Sequence, residues 1–291
     1  MTPVPVLRFA PSPNGPLHLG HALSALTGFD MSRRLGGRFL VRIEDIDVGR
    51  SREEHVTGIF DDLAWLGVAW EEPVLRQSEH FATYVQAAHQ LEAKGLLYPC
   101  FASRSEIEAA ASPGAVDPDG APLYPGLHKS MPRSDIAARL QNGERFALRL
   151  DMDRALGVAR ERLGGVPLTF TELDESGRPH VRKAEAEQWG DAVILRKDVP
   201  ASYHLAVVVD DARQGVTHVT RGRDLFQATG LHRLLQVLLG LPEPLYQHHR
   251  LLVDAEGRKL AKSAGDTGLE ALRAAGASAA DVRRTVGLAP A

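Results

Sequence analysis

Near its start the chain reads RFAPSPNGPLHLGH over residues 8–21. The run from Pro5 to Phe9 predicts a short buried strand, which the prolines and Gly15 of this segment bring to an end. From His18 to Leu35 apolar residues recur at helical spacing, and the glycines at 36 and 37 end that pattern. The segment therefore predicts a strand, a loop and a helix that begins beside two histidines.

The next segments repeat this alternation of strand and helix. Residues 38–43 predict a second strand, and Ser51 begins an SREE capping box that predicts a helix through Leu66. Another helix is predicted from Ser78 to Gly95. Alternating strands and helices indicate a parallel sheet, so we expect an α/β fold with a Rossmann-like, doubly wound parallel sheet.

The middle of the chain interrupts this pattern. Residues 103–144 are rich in Ala, Ser, Pro and Gly, and we interpret them as part of an inserted, smaller α+β region. Strand-like runs at 145–150, 192–195 and 203–209 are expected to resume the parallel sheet, before a helix from Asp224 to Leu239. Two short helices around Gly276 are expected at the end of the chain. We expect four segments: the first half of a nucleotide-binding catalytic domain at 1–100, an inserted or connecting region at 101–190, the second half of the catalytic domain at 191–250, and a lysine-loop segment with a short helical end at 251–291.

The overall composition is that of an ordinary globular protein. With 34 basic and 37 acidic residues, the chain has no global positive field that would mark a nucleic-acid partner, although a local basic groove is compatible with this balance. We find no secretory signal and no apolar run of membrane-spanning length, and we therefore expect a cytoplasmic protein without a membrane partner. The single cysteine, Cys100, excludes an intrachain disulfide and a cysteine-only zinc site.

The histidine segment has the geometry of a phosphate site. Backbone N–H groups at a helix N-terminus favour anionic oxygens, and the imidazoles of His18 and His21 can donate hydrogen bonds. At Gly20 the missing side chain would let an adenine ring lie close. Taken alone, the short His-x-Gly-His pattern is equally compatible with a turn that carries two solvated histidines.

A second basic segment lies near the end of the chain and reads GRKLAKS over residues 257–263. It follows a strand-like run at 250–253 and a turn signal at 254–257. Only six lysines occur in the chain, and Lys259 and Lys262 are two of them. By itself this segment could be a solvated basic loop.

Together the two segments resemble the signature motifs of class I aminoacyl-tRNA synthetases in the form seen in glutamyl enzymes. Residues 18–21 are similar to the His-Ile-Gly-His motif, with Leu19 in place of isoleucine, and residues 259–263 are similar to the Lys-Met-Ser-Lys-Ser loop. The resemblance implies one site for the substrate ATP, with Mg²⁺, and a catalytic role for His18, His21, Lys259 and Lys262. The residues it implies for ATP binding are Pro11, Ser12, Gly15, His18, Gly20, His21, Lys259, Lys262 and Ser263.

The same resemblance implies a pocket for L-glutamate. Two carboxylates and one ammonium group call for arginines and a carboxylate. The implied residues are Arg8, Ala10, Ser12, Glu44, Tyr203 and Arg221. We expect Glu44 to receive the ammonium group and Arg8 to lie near the side-chain carboxylate, but the sequence does not decide which arginine faces which carboxylate. Taken singly, Glu44 and Arg221 could also form surface ion pairs.

The neighbouring acidic pair at residues 210 and 211 follows the strand-like run at 203–209. It could supply metal ligands, or it could supply an N-cap and a first-turn acid of a following helix. We favour the helix interpretation.

Within this class the glutamyl-queuosine tRNA(Asp) synthetases are the most similar family. Ser263 lies 28 residues before Ala291, so the large anticodon-binding domain of an ordinary glutamyl-tRNA synthetase is expected to be missing. The resemblance implies a ligase that transfers activated glutamate to the queuosine base of tRNA(Asp), and an acceptor-binding-like role for 101–190. Three alternatives stay open: a truncated glutamyl-tRNA synthetase that charges a tRNA 3′ end, a nucleotidyltransferase outside the synthetases, and a non-catalytic synthetase-derived regulator that binds tRNA or amino acid.

One departure from this family concerns zinc. The family commonly binds zinc through Cys-x-Cys and a later Tyr-x-x-x-Cys, and the corresponding positions here are Cys100, Ala102, Tyr124 and His128. Histidine can bind zinc but alanine cannot, so a tetrahedral site would lack one ligand. We therefore predict no bound metal at this position and a buried, packing role for Cys100.

Overall fold

The computed structural model describes residues 4–252 and 268–289. Within these ranges the chain forms ten strands and ten α-helices. The strands are β1 (Val6–Phe9), β2 (Arg38–Ile43), β3 (Glu71–Arg76), β4 (Leu97–Cys100), β5 (Ala147–Leu150), β6 (Thr169–Leu173), β7 (Pro179–Lys183), β8 (Val193–Leu195), β9 (His218–Gly222) and β10 (Leu245–His249). The helices are α1 (Leu19–Arg34), α2 (Glu53–Trp65), α3 (Phe81–Ala93), α4 (Arg104–Ala110), α5 (Arg133–Gln141), α6 (Met152–Arg162), α7 (Tyr203–Arg213), α8 (Ala228–Leu239), α9 (Leu269–Ala274) and α10 (Ala279–Thr285). None of the helices described has the length and apolar character needed to cross a membrane.

Two groups of parallel strands meet in the centre of the molecule. Strands β1, β2 and β3 pair in parallel, and so do β6, β10 and β9, while β7 adds an antiparallel edge to β6. The groups adjoin where the backbone N–H of Thr217 donates to the carbonyl of Val6 at 2.9 Å. The carboxyl ends of β1, β2, β9 and β10 consequently lie at one edge, the usual ligand-binding edge of an open α/β sheet.

Strand residues alternate between two differently packed faces. On one face Leu7, Phe9 and Val41 join α1 and α2 in one apolar cluster. On the other face the side chains of Arg8 and Arg42 reach α7. The period-two alternation of a strand therefore separates an apolar layer from a buried polar layer.

The prediction of a strand at 203–209 is wrong, because these residues begin α7. The hydroxyl of Ser202 accepts a hydrogen bond from the Leu205 backbone N–H and caps the helix. All six residues from Leu205 to Asp210 are buried, so the run has no exposed face to reveal a helical period. Asp210 and Asp211 lie in the last turns of α7, and the prediction that they begin a helix is also wrong.

The strands predicted at 145–150 and 192–195 exist but do not extend the parallel sheet. They correspond to β5 and β8, which pair antiparallel with each other. Strand β4 pairs antiparallel with the other side of β5, so the three strands form a separate sheet. The second half of the parallel sheet instead uses β6, β9 and β10. Strands of three or four residues carry too little pattern for parallel and antiparallel pairing to be distinguished in sequence.

Two smaller predictions near strand and helix ends are also wrong. The last parallel strand, β10, ends at His249, before the run predicted at 250–253. Helix α2 is preceded by Arg52 as N-cap without a side-chain hydrogen bond, and the Ser51 hydroxyl donates to the carbonyl of Asp47 instead. The predictions for β1, α1, β2 and the two C-terminal helices are confirmed. The division of the chain into four segments stays a prediction.

Candidate active site

A cavity of about 540 Å³ opens at the carboxyl edge of the parallel sheet. It brings together ten of the residues predicted for ATP and glutamate: Arg8, Ala10, Pro11, Ser12, His18, Gly20, His21, Glu44, Tyr203 and Arg221. Gly15 does not line it. Lys259, Lys262 and Ser263 lie outside the described residues.

The two histidines are organised around the first turn of α1. The Nδ1 atom of His18 accepts a hydrogen bond from the Gly20 backbone N–H at 3.0 Å, and Nδ1 of His21 accepts from the His18 backbone N–H at 3.2 Å. This reciprocal box caps the helix and brings the two rings together, with centroids 3.9 Å apart and planes tilted by 34°. A Cβ atom at residue 20 would lie 2.9 Å from the His18 ring, so glycine is required for this arrangement.

A buried chain of four charges lies beside the cavity, and its two end members, Arg8 and Glu44, line the cavity wall. Asp211 accepts hydrogen bonds from Nε and Nη2 of Arg8 at 2.9 and 3.3 Å, and from Nη1 of Arg42 at 2.7 Å. The Nη2 atom of Arg42 donates to Oε1 of Glu44 at 3.1 Å. The chain therefore links the first strand, the second strand and the end of α7, and holds Arg8 and Glu44 in fixed positions at the cavity.

The pKa values in this chain reflect both burial and pairing. Burial raises the pKa of Glu44, and the charges of Arg42 and Arg8 offset part of this effect. Although burial opposes the charged forms of Asp211 and Arg42, their mutual attraction lowers the pKa of Asp211 and raises that of Arg42. An ammonium group beside Glu44 would favour its ionised form for the same electrostatic reason.

Arg221, at the end of β9, is held in a different way. Its Nε atom donates to Nε2 of His248 at 3.2 Å, its Nη1 lies 3.1 Å from Nδ1 of His232, and its Nη2 donates to the Thr229 hydroxyl at 2.6 Å. All four side chains are buried. Beside them Tyr203 also lines the cavity, and burial raises the pKa of its phenol.

The sequence did not identify the residues that hold these arginines. The strand predicted at 203–209 misplaces Asp211, and the pattern around Arg42 predicts only a strand residue. His232 and His248 lie 11 and 27 residues from Arg221 and come from α8 and β10. A buried His, Thr or Arg leaves no periodic signal, so only the tertiary contacts reveal this set.

The region with the altered zinc-ligand pattern is held by hydrogen bonds. Nδ1 of His128 accepts from the Phe101 backbone N–H at 3.2 Å, and the Tyr124 hydroxyl accepts from the His128 backbone N–H at 2.8 Å. Cys100 and Ala102 are both buried. In residues 4–252 and 268–289, no group of three His, Cys, Asp or Glu side chains could hold a metal ion. The lack of zinc stays a prediction.

Comparison with known proteins places this geometry in a family. Residues 5–277 match the family model described as tRNA synthetases class I (E and Q), catalytic domain. The glutamyl-Q tRNA(Asp) synthetase of Rhodobacter capsulatus is 46% identical over 295 residues, which cover 97% of this chain and 100% of the relative. The chain belongs to the glutamyl-Q tRNA(Asp) synthetase family.

One further relative belongs to the same family, and two glutamate–tRNA ligases share the catalytic part of the chain. The glutamyl-Q tRNA(Asp) synthetase of Symbiobacterium thermophilum is 41% identical and matches over 93% of this chain and 82% of the relative. The glutamate–tRNA ligase of Heliobacterium modesticaldum is 36% identical, but the chain covers only 53% of its length. A crystal structure of a glutamate tRNA ligase from Elizabethkingia meningosepticum in complex with its amino acid superposes with a TM-score of 0.71 at 26% identity, over 90% of this chain and 53% of that one. This glutamyl-Q tRNA(Asp) synthetase family member is thus a ligase of class I with ATP as substrate, and the predicted family and fold are confirmed.

Proposed function

We propose that the protein activates L-glutamate with ATP and transfers it to the queuosine base of tRNA(Asp). The observation that carries this proposal is that Arg8, Glu44 and Arg221 line the same cavity as His18 and His21. Glutamate offers two carboxylates and one ammonium group, and the buried arginines and Glu44 supply the opposite charges. The similarity to glutamyl-Q tRNA(Asp) synthetases over the whole length of one relative supports the acceptor.

The proposed reaction needs no protein nucleophile. An oxygen of the glutamate α-carboxylate attacks the α-phosphorus of ATP, the bond to the leaving pyrophosphate breaks, and glutamyl-adenylate forms. A hydroxyl of the queuosine cyclopentenediol then attacks the glutamyl carbonyl, and AMP leaves. Arg8, Glu44 and Arg221 would orient the amino acid, while His18, His21 and the two lysines of the second motif would stabilise charge on the phosphates.

We propose that Mg²⁺ enters this site with the nucleotide. The carboxylates that line the described part of the cavity are Glu44 and Asp224. Because Glu44 is assigned to the ammonium group of glutamate, Asp224 is the carboxylate left for the ion, which would keep waters and phosphate oxygens as most of its ligands. The ion would supply charge neutralisation on the phosphates when it is bound.

The acceptor can be tested with radiolabelled glutamate and two tRNA pools. We expect labelling of tRNA from queuosine-competent cells and no labelling of tRNA from cells unable to make queuosine. Removing the 3′-terminal adenosine should not reduce this labelling, because the proposed acceptor hydroxyl is on the modified base. Equal labelling of both pools that disappears with the 3′-terminal adenosine would instead establish the second candidate, a 3′-end charging enzyme, which the 36% identity to a glutamate–tRNA ligase favours.

The role of Glu44 can be tested with Glu44→Gln. The amide cannot attract the substrate ammonium group as a carboxylate does, so we expect the KM for glutamate to rise about 10- to 100-fold, the usual size for a hydrogen bond between charged groups. The KM for ATP should change little. Pyrophosphate exchange at varied glutamate measures the first constant, and exchange at varied ATP measures the second.

Glu71→Gln is the matched control for this substitution. Its carboxylate forms an exposed ion pair with Arg38 on the same sheet, outside the cavity. We expect wild-type constants for this variant. An unchanged KM for glutamate in Glu44→Gln would reject Glu44 as the ammonium site.

A further inference from the structure

Two buried arginines face the cavity, but their partners differ in charge. Arg8 is paired with the carboxylate of Asp211 through two of its nitrogens. Arg221 has all three guanidinium nitrogens within hydrogen-bond distance of His248, His232 and Thr229, which carry no negative charge. One cavity therefore contains one arginine neutralised by a carboxylate and one arginine held by neutral groups.

The direction of the hydrogen bonds makes both histidines neutral. Because guanidinium nitrogens are donors only, the facing nitrogen of each imidazole must offer a lone pair. The remaining ring proton then points away from Arg221, from Nδ1 of His248 toward Glu172 and from Nε2 of His232 toward His204. Burial and the charge of Arg221 act in the same direction, and lower the pKa of His248 to about 2 and that of His232 well below its usual value.

The buried carboxylates near Arg221 do not cancel its charge, and Asp224, which also lines the cavity, is exposed to solvent. Glu172 lies behind His248 and is itself paired with Arg182 at 3.2 Å. Asp210 is paired with Arg213 at 3.1 Å. The buried charged side chains that remain around the glutamate pocket are Arg8, Arg42 and Arg221 against Glu44 and Asp211. They leave one net positive charge, whereas glutamate in its usual form has one net negative charge and glutamine has none.

We propose that His232 and His248 are positioning residues that determine specificity: by holding Arg221 through neutral acceptors, they keep one uncompensated positive charge in the pocket and so select glutamate over glutamine. This inference rests on the proposed activation of glutamate. Whichever carboxylate Arg221 meets, a carboxylate at position 232 would compete for the same guanidinium. The charge of the side chains that hold Arg221, and not only their shape, then sets the preference for glutamate over glutamine.

Asparagine and aspartate at position 232 separate the effect of charge from that of shape. Their side chains have nearly the same size and shape, but only aspartate is negatively charged. We expect His232→Asn to keep the preference for glutamate within a few-fold. We expect His232→Asp to raise the KM for glutamate at least about tenfold and to reduce the preference for glutamate over glutamine by a similar factor. Pyrophosphate exchange with each amino acid gives kcat and KM, and calorimetric titration with each gives the affinity without turnover.

Two further comparisons keep the test decisive. Both variants are also made with His204→Gln, because an imidazole at residue 204 could take up a proton beside the new carboxylate and restore the charge. If His232→Asp does not fold, Thr229→Asn and Thr229→Asp repeat the comparison on another partner of Arg221. Equal effects of the amide and the acid in an otherwise active enzyme would overturn the inference. A wild-type protein that neither binds glutamate nor exchanges pyrophosphate would instead reject the proposed function.

Discussion

Replacing Lys262 with alanine is expected to lower the rate of glutamate-dependent pyrophosphate exchange by about a hundred- to a thousand-fold, the usual effect of removing one group that stabilises transition-state charge. The expectation follows from the similarity of residues 259–263 to the lysine loop of class I synthetases, because Lys262 lies outside the described residues. The affinity for glutamate should stay unchanged, since the residues proposed to bind the amino acid lie at the sheet edge and do not include Lys262. Exchange kinetics and calorimetry measure the two effects separately.

Lys183→Ala provides the control for this substitution. Lys183 lies on the exposed strand β7, pairs with Glu187 and is outside the cavity. We expect this variant to have the wild-type exchange rate and melting temperature. A loss of activity in Lys262→Ala smaller than tenfold, about 1.4 kcal/mol, would contradict the assigned role in the transition state.

Replacing Asp211 with asparagine is expected to lower the free energy of unfolding by about 3–5 kcal/mol, because removing one partner leaves buried charges uncompensated. Asp211 is the shared partner of Arg8 and Arg42, and both guanidinium groups are buried. The released Arg8 would also hold glutamate less well, so the KM for glutamate should rise. Urea denaturation measures the stability, provided that the unfolding free energy of both proteins depends on urea concentration with the same slope. Exchange kinetics measure the KM.

The same change at an exposed ion pair gives the comparison. Asp198 pairs with Arg196 at 3.0 Å near the surface, and Asp198→Asn should cost less than about 1 kcal/mol. If Asp211→Asn were equally mild, the buried chain from Arg8 to Glu44 would not be the element that fixes the glutamate side of the cavity.

Local patterns were sufficient for β1, β2 and the histidine turn, but they did not reveal β3, the third strand of that parallel group. Helix α1 has apolar residues at helical spacing, and the prolines before it leave no other position for its start. The two basic segments also indicated the family. Residues 18–21 and residues 259–263 each resemble a signature motif of class I synthetases, and both motifs occur in this chain. These features depend on neighbours in the chain, which is why they can be predicted from it.

The misassignment of α7 shows where local pattern is insufficient. Its residues from Leu205 to Asp210 are buried on all sides, and a helix surrounded by protein shows the same apolar run as a central strand. The error moved Asp211 from the end of a helix, where it meets Arg8 and Arg42, to the start of one. The charge partner of a predicted site residue was therefore lost with the element that carries it.

The amino-acid order alone determined the fold class through chain-local periodicity, and its motifs indicated the family, whose resemblance implied ten of the residues that line the cavity. The folded structure decided what each of those side chains is paired with. Arg8 and Arg221 are both arginines at strand ends, yet Asp211 neutralises one while His232 and His248 hold the other without charge. Such differences arise from contacts between residues tens to hundreds of positions apart, and burial makes each contact energetically important by removing the water that would otherwise screen it.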